Sequence, residues 1–141
     1  MTVDDRLRAA RIARNEGRVE DAERLYQSAV DEARRTNAPV ALAHGLRHLS
    51  DVARTQQHAD IGLSAGLEAV SIARAIEGLP ALDLANALRV AALALQMHHR
   101  WNEALPVWAE ARGYYAAAGV AAGVDECDAA LASSPPAPSN A

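Results

Sequence analysis

The sequence predicts an all-α protein built of stacked helical hairpins. Three observations carry this: a composition suited to helix rather than strand, long apolar-periodic stretches separated by short breaks, and an internal repeat. Hydrophobic residues make up 50% of the 141 positions, yet Ala dominates them, there is no Phe, and aromatics contribute only 4%. Apolar surface in such small pieces suits closely packed helices, and no segment sustains the β-branched alternation of a strand.

The first helix is expected from about Val3 to Asn15, where Asn15-Glu16-Gly17 supplies a stop and Gly17 suits the left-handed position after a helix end. A second, Val19 to Arg35, places Ala22, Leu25, Tyr26, Ala29, Val30 and Ala33 on one face, which must pack on something. Thr36-Asn37-Ala38-Pro39 breaks it, and Pro39 fits the first turn of a third helix that ends near Gln56 and Gln57. The fourth runs from about Ala59 to Glu77 and ends at Gly78-Leu79-Pro80. The fifth runs from about Ala81 to His98, the sixth from Trp101 to Ala117 with Pro106 in its first turns, and a seventh, after Gly119, from Ala121 to Ala132. Residues 133–141, rich in Pro, Ser and Ala, cannot bury a core and are expected to be disordered. One domain over residues 1–132 with a single core follows from this length.

Charge and motifs narrow the function. All 14 basic residues are Arg, set against 18 acidic ones, and a net charge of −4 argues against a dedicated nucleic-acid binder. The single cysteine, Cys127, allows no intramolecular disulfide and reads as a small buried residue. No apolar signal region opens the chain and no run is long enough to span a membrane, so a cytoplasmic protein with no membrane partner is expected. There is no Gly-x-Ser-x-Gly, no phosphate-cradling Gly-rich loop and no recognisable Cys–His pairing, so neither an enzyme nor a cofactor is expected.

The chain overlays on itself with shifts of 40 and then 42 residues. In the second helix of each unit Ala22, Gly62 and Ala104 fall in register, as do Ala29, Ala69 and Ala111. In the first helix Ala10, Ser50 and Ala92 align. Small residues recur where helix axes approach, and Tyr26 and Trp108 recur where a large side chain must fill the space between hairpins. Three units follow, at about 3–38, 39–79 and 80–119, with a capping helix at about 121–132. A generic Ala-rich bundle is the competing architecture.

These residues resemble the tetratricopeptide repeat family, whose pattern of Ala, three residues, then an aromatic appears as Ala22…Tyr26 and Ala104…Trp108. The fullest match is Gly17-Arg-Val-Glu-Asp-Ala22-Glu-Arg-Leu-Tyr26-Gln-Ser-Ala29. The repeat exceeds the family's usual length of about 34 residues and is similar to the long hairpins of kinesin-light-chain-type repeats. Unit two departs from the pattern, with Gly62 and Gly66 where Ala and the aromatic belong, so its hairpin is either looser or more closely crossed.

The resemblance implies a right-handed superhelix whose concave wall is made by the first helix of each pair. Carried over position by position, it implies a groove of Asp4, Leu7, Arg11, Arg14 and Asn15 from unit one, His44, Arg47, Asp51, Arg54 and Thr55 from unit two, and Asn86, Arg89, Leu93, Gln96 and Met97 from unit three. Five arginines against two aspartates make this face cationic in an anionic chain. The expected partner is another protein, through an acidic or extended segment held by guanidinium forks. The competing reading is that these arginines solvate an open face and pair with neighbouring acids. The family's two-carboxylate clamp is not reproduced, since Leu7 and Val90 occupy two of its places.

Two further readings stand beside the adaptor. One is a self-associating scaffold, using the open ends of the array or an apolar edge at Tyr114 and Tyr115. The other is a metal site, since His44, His48 and Asp51 share one helix face.

Overall fold

A computed structural model describes residues 1–133. Among them run seven helices: α1 (Val3–Asn15), α2 (Val19–Arg35), α3 (Pro39–Thr55), α4 (Ala59–Ala75), α5 (Ala81–Met97), α6 (Trp101–Ala117) and α7 (Ala121–Ala132). The all-α expectation holds, with small changes at two ends. α4 stops two residues short of Glu77 because Ile76 turns extended, and α5 stops at Met97. α6 continues without a break past Pro106. The expected disordered tail lies, apart from Ser133, outside the described residues.

Each of α2 to α6 is 17 residues long. Five of the six connections have three residues, and the middle one is always left-handed: Gly17, Asn37, Gln57, His99 and Gly119. In every case the residue after it sends its N–H back to the third-last helical carbonyl. The pairs are Arg18 to Ala13, Ala38 to Ala33, His58 to Ala53, Arg100 to Leu95 and Val120 to Tyr115, at 2.8–2.9 Å. This closing pattern satisfies carbonyls the helix end leaves open and fixes the turn angle. The α4–α5 link, residues 76–80, is longer, and it absorbs the change of period from 40 to 42 residues.

Each helix packs on the next, and α3 also meets α1 and α5. The second helices α2, α4 and α6 make no close backbone approach to one another, so α1, α3 and α5 share one side. One apolar cluster fills α1 to α4 and takes in Ala87 of α5, a second fills α5 to α7, and Val70 and Leu84 pack against both. The core is therefore continuous along the stack, as a helical-repeat arrangement requires. The repeat positions Ala10, Ala22, Ala29, Ser50, Gly62, Ala69, Ala92, Ala104 and Ala111 are all buried, and Tyr26 and Trp108 are 2% and 1% exposed.

Of the two possibilities for unit two, the closer crossing is the one observed. The Ser50 hydroxyl donates to the Gly62 carbonyl at 2.6 Å. A Cβ at Gly66 would lie 2.9 Å from Ser50 Oγ and 3.2 Å from the Ala91 Cα, so α4 is wedged between α3 and α5. The expected apolar edge at Tyr114 and Tyr115 is not found. Tyr114 is half-buried, and Tyr115 is buried because Gly123 lets α7 close over its ring.

Trp108→Ala should lower stability by about 3–5 kcal/mol in urea denaturation, the usual loss for an aromatic truncated in a core. Two glycines should respond with opposite signs. A methyl group added at Gly113 would meet nothing within 4 Å, so Gly113→Ala should gain about 1 kcal/mol of helix propensity. Gly66→Ala makes the same local gain, but the crowding against Ser50 and the Ala91 backbone outweighs it, and the protein should lose stability.

Candidate functional site

Because α3 meets both α1 and α5, the residues carried over as a groove stand on helices of one side, and they divide into distinct groups. Arg14 of α1 and Arg54 of α3 both donate to the Asp51 carboxylate. One turn before Asp51, the His48 ring stacks on Tyr26, with centroids 5.2 Å apart and planes 10° from parallel. His44 meets His48 edge-on at 4.5 Å. Arg14 Nη1 lies 3.4 Å from His48 Nδ1, and Arg47 Nη2 lies 3.3 Å from His44 Nδ1. A guanidinium can only donate, so each Nδ1 accepts and each imidazole carries its proton on Nε2.

The electrostatics follow from this crowding. Burial, reinforced by the charges of Arg47, His44 and Arg14, pushes the His48 imidazole down to about 3, with only Asp51 opposing. His44 moves the same way through burial and Arg47. Burial alone would raise the Asp51 carboxyl, but the hydrogen bonds and charges of Arg14 and Arg54 outweigh it and hold the group below its ordinary range. Burial raises the Tyr26 phenol against the opposing pull of Arg14, Arg11 and Arg47, which places its hydroxyl in the same cationic neighbourhood.

The α5 part of the face is closed by α6 and α7. Asn86 Oδ1 accepts the Tyr115 hydroxyl at 2.7 Å, and Arg89 Nε donates to Glu126 of α7 at 2.5 Å. Leu93 and Gln96 are half-buried further along α5. The reading in which groove arginines simply pair with acids therefore describes Arg14, Arg54 and Arg89. It does not describe Arg11, which is exposed, or Arg47, which is half-buried; neither has a carboxylate partner among the described residues. Of the remaining arginines only Arg6 shares this, and it is held by the Ser28 hydroxyl and the Met1 carbonyl. Beside Arg47 lies a cleft of about 60 Å³ between α3 and α5, lined by Val40, His44, Leu79 and Asp83 among others.

Sequence reasoning did not identify Glu126, Asp83 or the Tyr26 hydroxyl as parts of this face. One signal was available for Glu126: it follows Arg89 by 37 residues, the same separation as Asp51 from Arg14. The metal grouping is engaged elsewhere, since Asp51 holds two guanidiniums and His48 is stacked. Among the described residues no group of three His, Cys, Asp or Glu is placed to hold a metal ion. Cys127 is fully buried and burial pushes its thiol up, which disfavours the thiolate. Among the described residues no helix is long and apolar enough to cross a membrane.

Compared with known proteins, the chain matches no family model and no curated sequence.

The histidine stack makes stability depend on pH. In the folded protein His48 stays unprotonated down to about pH 3, whereas an unfolded imidazole takes a proton near 6.5, so the unfolded state binds more protons below that value. The stabilisation is complete above pH 7 and falls by up to about 1.4 kcal/mol per pH unit on acidification. Asp51 adds a further loss below its ordinary 3.8, since its depressed folded value favours the carboxylate. Urea midpoints measured from pH 7 to 4.5 should fall steeply in the wild type. His48→Phe, which preserves a ring against Tyr26, should remove the larger part of that slope; an unchanged slope would assign it to other groups.

Proposed function

We propose that the chain is a tetratricopeptide-like interaction module that holds an acidic, extended segment of a partner protein along the side formed by α1, α3 and α5. One observation carries the reading: Arg11 and Arg47, on adjacent helices of that side, make no salt bridge to a carboxylate among the described residues, in a chain of net charge −4 whose other arginines are nearly all paired. A local cationic face on an anionic molecule attracts acidic segments and repels other copies of the same surface. Guanidinium forks then fix the segment through paired hydrogen bonds. The usable face is centred on α1 and α3, because Glu126 occupies Arg89. On this reading the chain works in the cytoplasm, catalyses no reaction and requires no cofactor.

A second reading, self-association, is favoured by the outer surface of α4, where Ile61 and Leu67 are 44% and 41% exposed. It would appear as a mass that rises with concentration.

Affinity capture from a cell lysate with the wild type and with Arg11→Gln/Arg47→Gln tests the two readings together. The expected result is a partner retained by the wild type, released by raised salt, and bound at least tenfold more weakly by the double variant, a loss of about 1.4 kcal/mol. A partner held equally by both proteins would move binding to another surface. Recovery of the chain's own copies alone would favour self-association.

A further inference from the structure

The α1–α3 face is unusually rich in donors and poor in acceptors. Arg11, Arg14, Arg47 and Arg54 supply four guanidiniums, and three carboxylates stand on the same side: Asp51 in contact, Asp83 across the cleft and Asp4 in the pocket that His44 also lines. One positive charge is left over. The Nδ1 atoms of His44 and His48 already face Arg47 and Arg14, so each ring has only its Nε2–H left to offer. The Tyr26 phenol stands in the field of Arg14, Arg11 and Arg47. Arg14 and Arg54 share one carboxylate, while Arg11 and Arg47 give no hydrogen bond to any carboxylate among the described residues.

An Asp or Glu side chain brings one negative charge and two acceptor oxygens to this site. A phosphate monoester brings close to two charges and three acceptor oxygens, and it matches the donor excess that Arg11, Arg47 and the two imidazole N–H groups present. We infer that the partner segment carries a phosphorylated side chain, and that Arg11 and Arg47 are the guanidiniums that bind it. This inference rests on the partner-binding reading of the same face and adds the chemical class of the group recognised.

The test is a titration of the whole chain, followed by NMR of the His44 and His48 rings, at constant ionic strength and about pH 7.5, where the phosphate is largely a dianion. The probes are N-acetyl-phosphoserine methylamide, N-acetyl-glutamate methylamide and inorganic phosphate. The phosphoserine probe should saturate with at least tenfold higher affinity than the glutamate probe. Arg47→Gln should weaken it at least tenfold, whereas Arg74→Gln, whose guanidinium binds Glu110 on the far side of the stack, should leave it unchanged. Exposed Arg11→Gln serves in place of Arg47→Gln if that variant does not fold. Equal affinity for glutamate, equal affinity for inorganic phosphate, or no saturable shift with phosphoserine would each overturn the inference. Phosphatase treatment of the lysate before capture separates the two claims. A partner lost after dephosphorylation supports the phosphate, and one retained after it, yet lost by Arg11→Gln/Arg47→Gln, overturns the phosphate and leaves the acidic-segment reading standing.

Discussion

The close seating of α4 between α3 and α5 is the constraint on which the rest of this structure depends. Glycine at position 66 removes the side chain that would hold the helices apart, and the Ser50 hydroxyl ties α3 to the Gly62 carbonyl. Ser50 is the single fully buried polar residue among those described, and its hydrogen bond answers the penalty of burying it. Hairpins one and three fill their space with Tyr26 and Trp108, whereas the middle hairpin achieves contact by approach. The spacing of α3 from α5 follows from this, and with it the width of the cleft where Arg47 and Asp83 face each other.

The two sides of the stack use the same residue types differently. On the outer side, Arg34 of α2 reaches Glu68 of α4, and Arg74 of α4 reaches Glu110 of α6, at matching places along the helices. Such exposed pairs contribute at most about 1 kcal/mol each, so their effect is to bridge helices whose backbones do not meet. On the inner side the pairing is incomplete. α7 supplies Glu126 to Arg89 and Asp128 to Arg112, which neutralises the C-terminal end of the stack and confines the unmatched charge to α1 and α3.

The sequence revealed the fold more fully than the site, and the reason is physical. Helix limits were legible because Gly17, Pro39, Gly78 and Gly119 act on their immediate neighbours. The buried positions were legible because close helix crossings tolerate only small residues, so Ala10, Ala22, Ala29 and their equivalents repeat. Whether Gly66 meant a loose or a tight hairpin depended on what lay opposite, and Ala91 is 25 positions away. The inner face was legible only as a list of residues. Which arginine is satisfied depends on long side chains choosing among carboxylates dozens of residues apart, and sequence pattern does not encode that choice. Tyr26 shows the same difficulty: it was readable as a packing residue, yet its hydroxyl reaches the cationic side while its ring fills the core.

The uniform connections have a kinetic consequence. Nearly every tertiary contact joins a helix to its immediate successor, and only α3 with α5 and α1 with α3 reach past a neighbour. The chain therefore closes short loops at each step, which keeps its contact order low and its folding fast for its size. Any adjacent pair of helices can serve as the nucleus, and growth proceeds outwards in both directions. Opening runs the other way, from α1 and α7 inwards, so backbone amides of α3, α4 and α5 exchange last and the cleft between α3 and α5 outlives the ends of the stack.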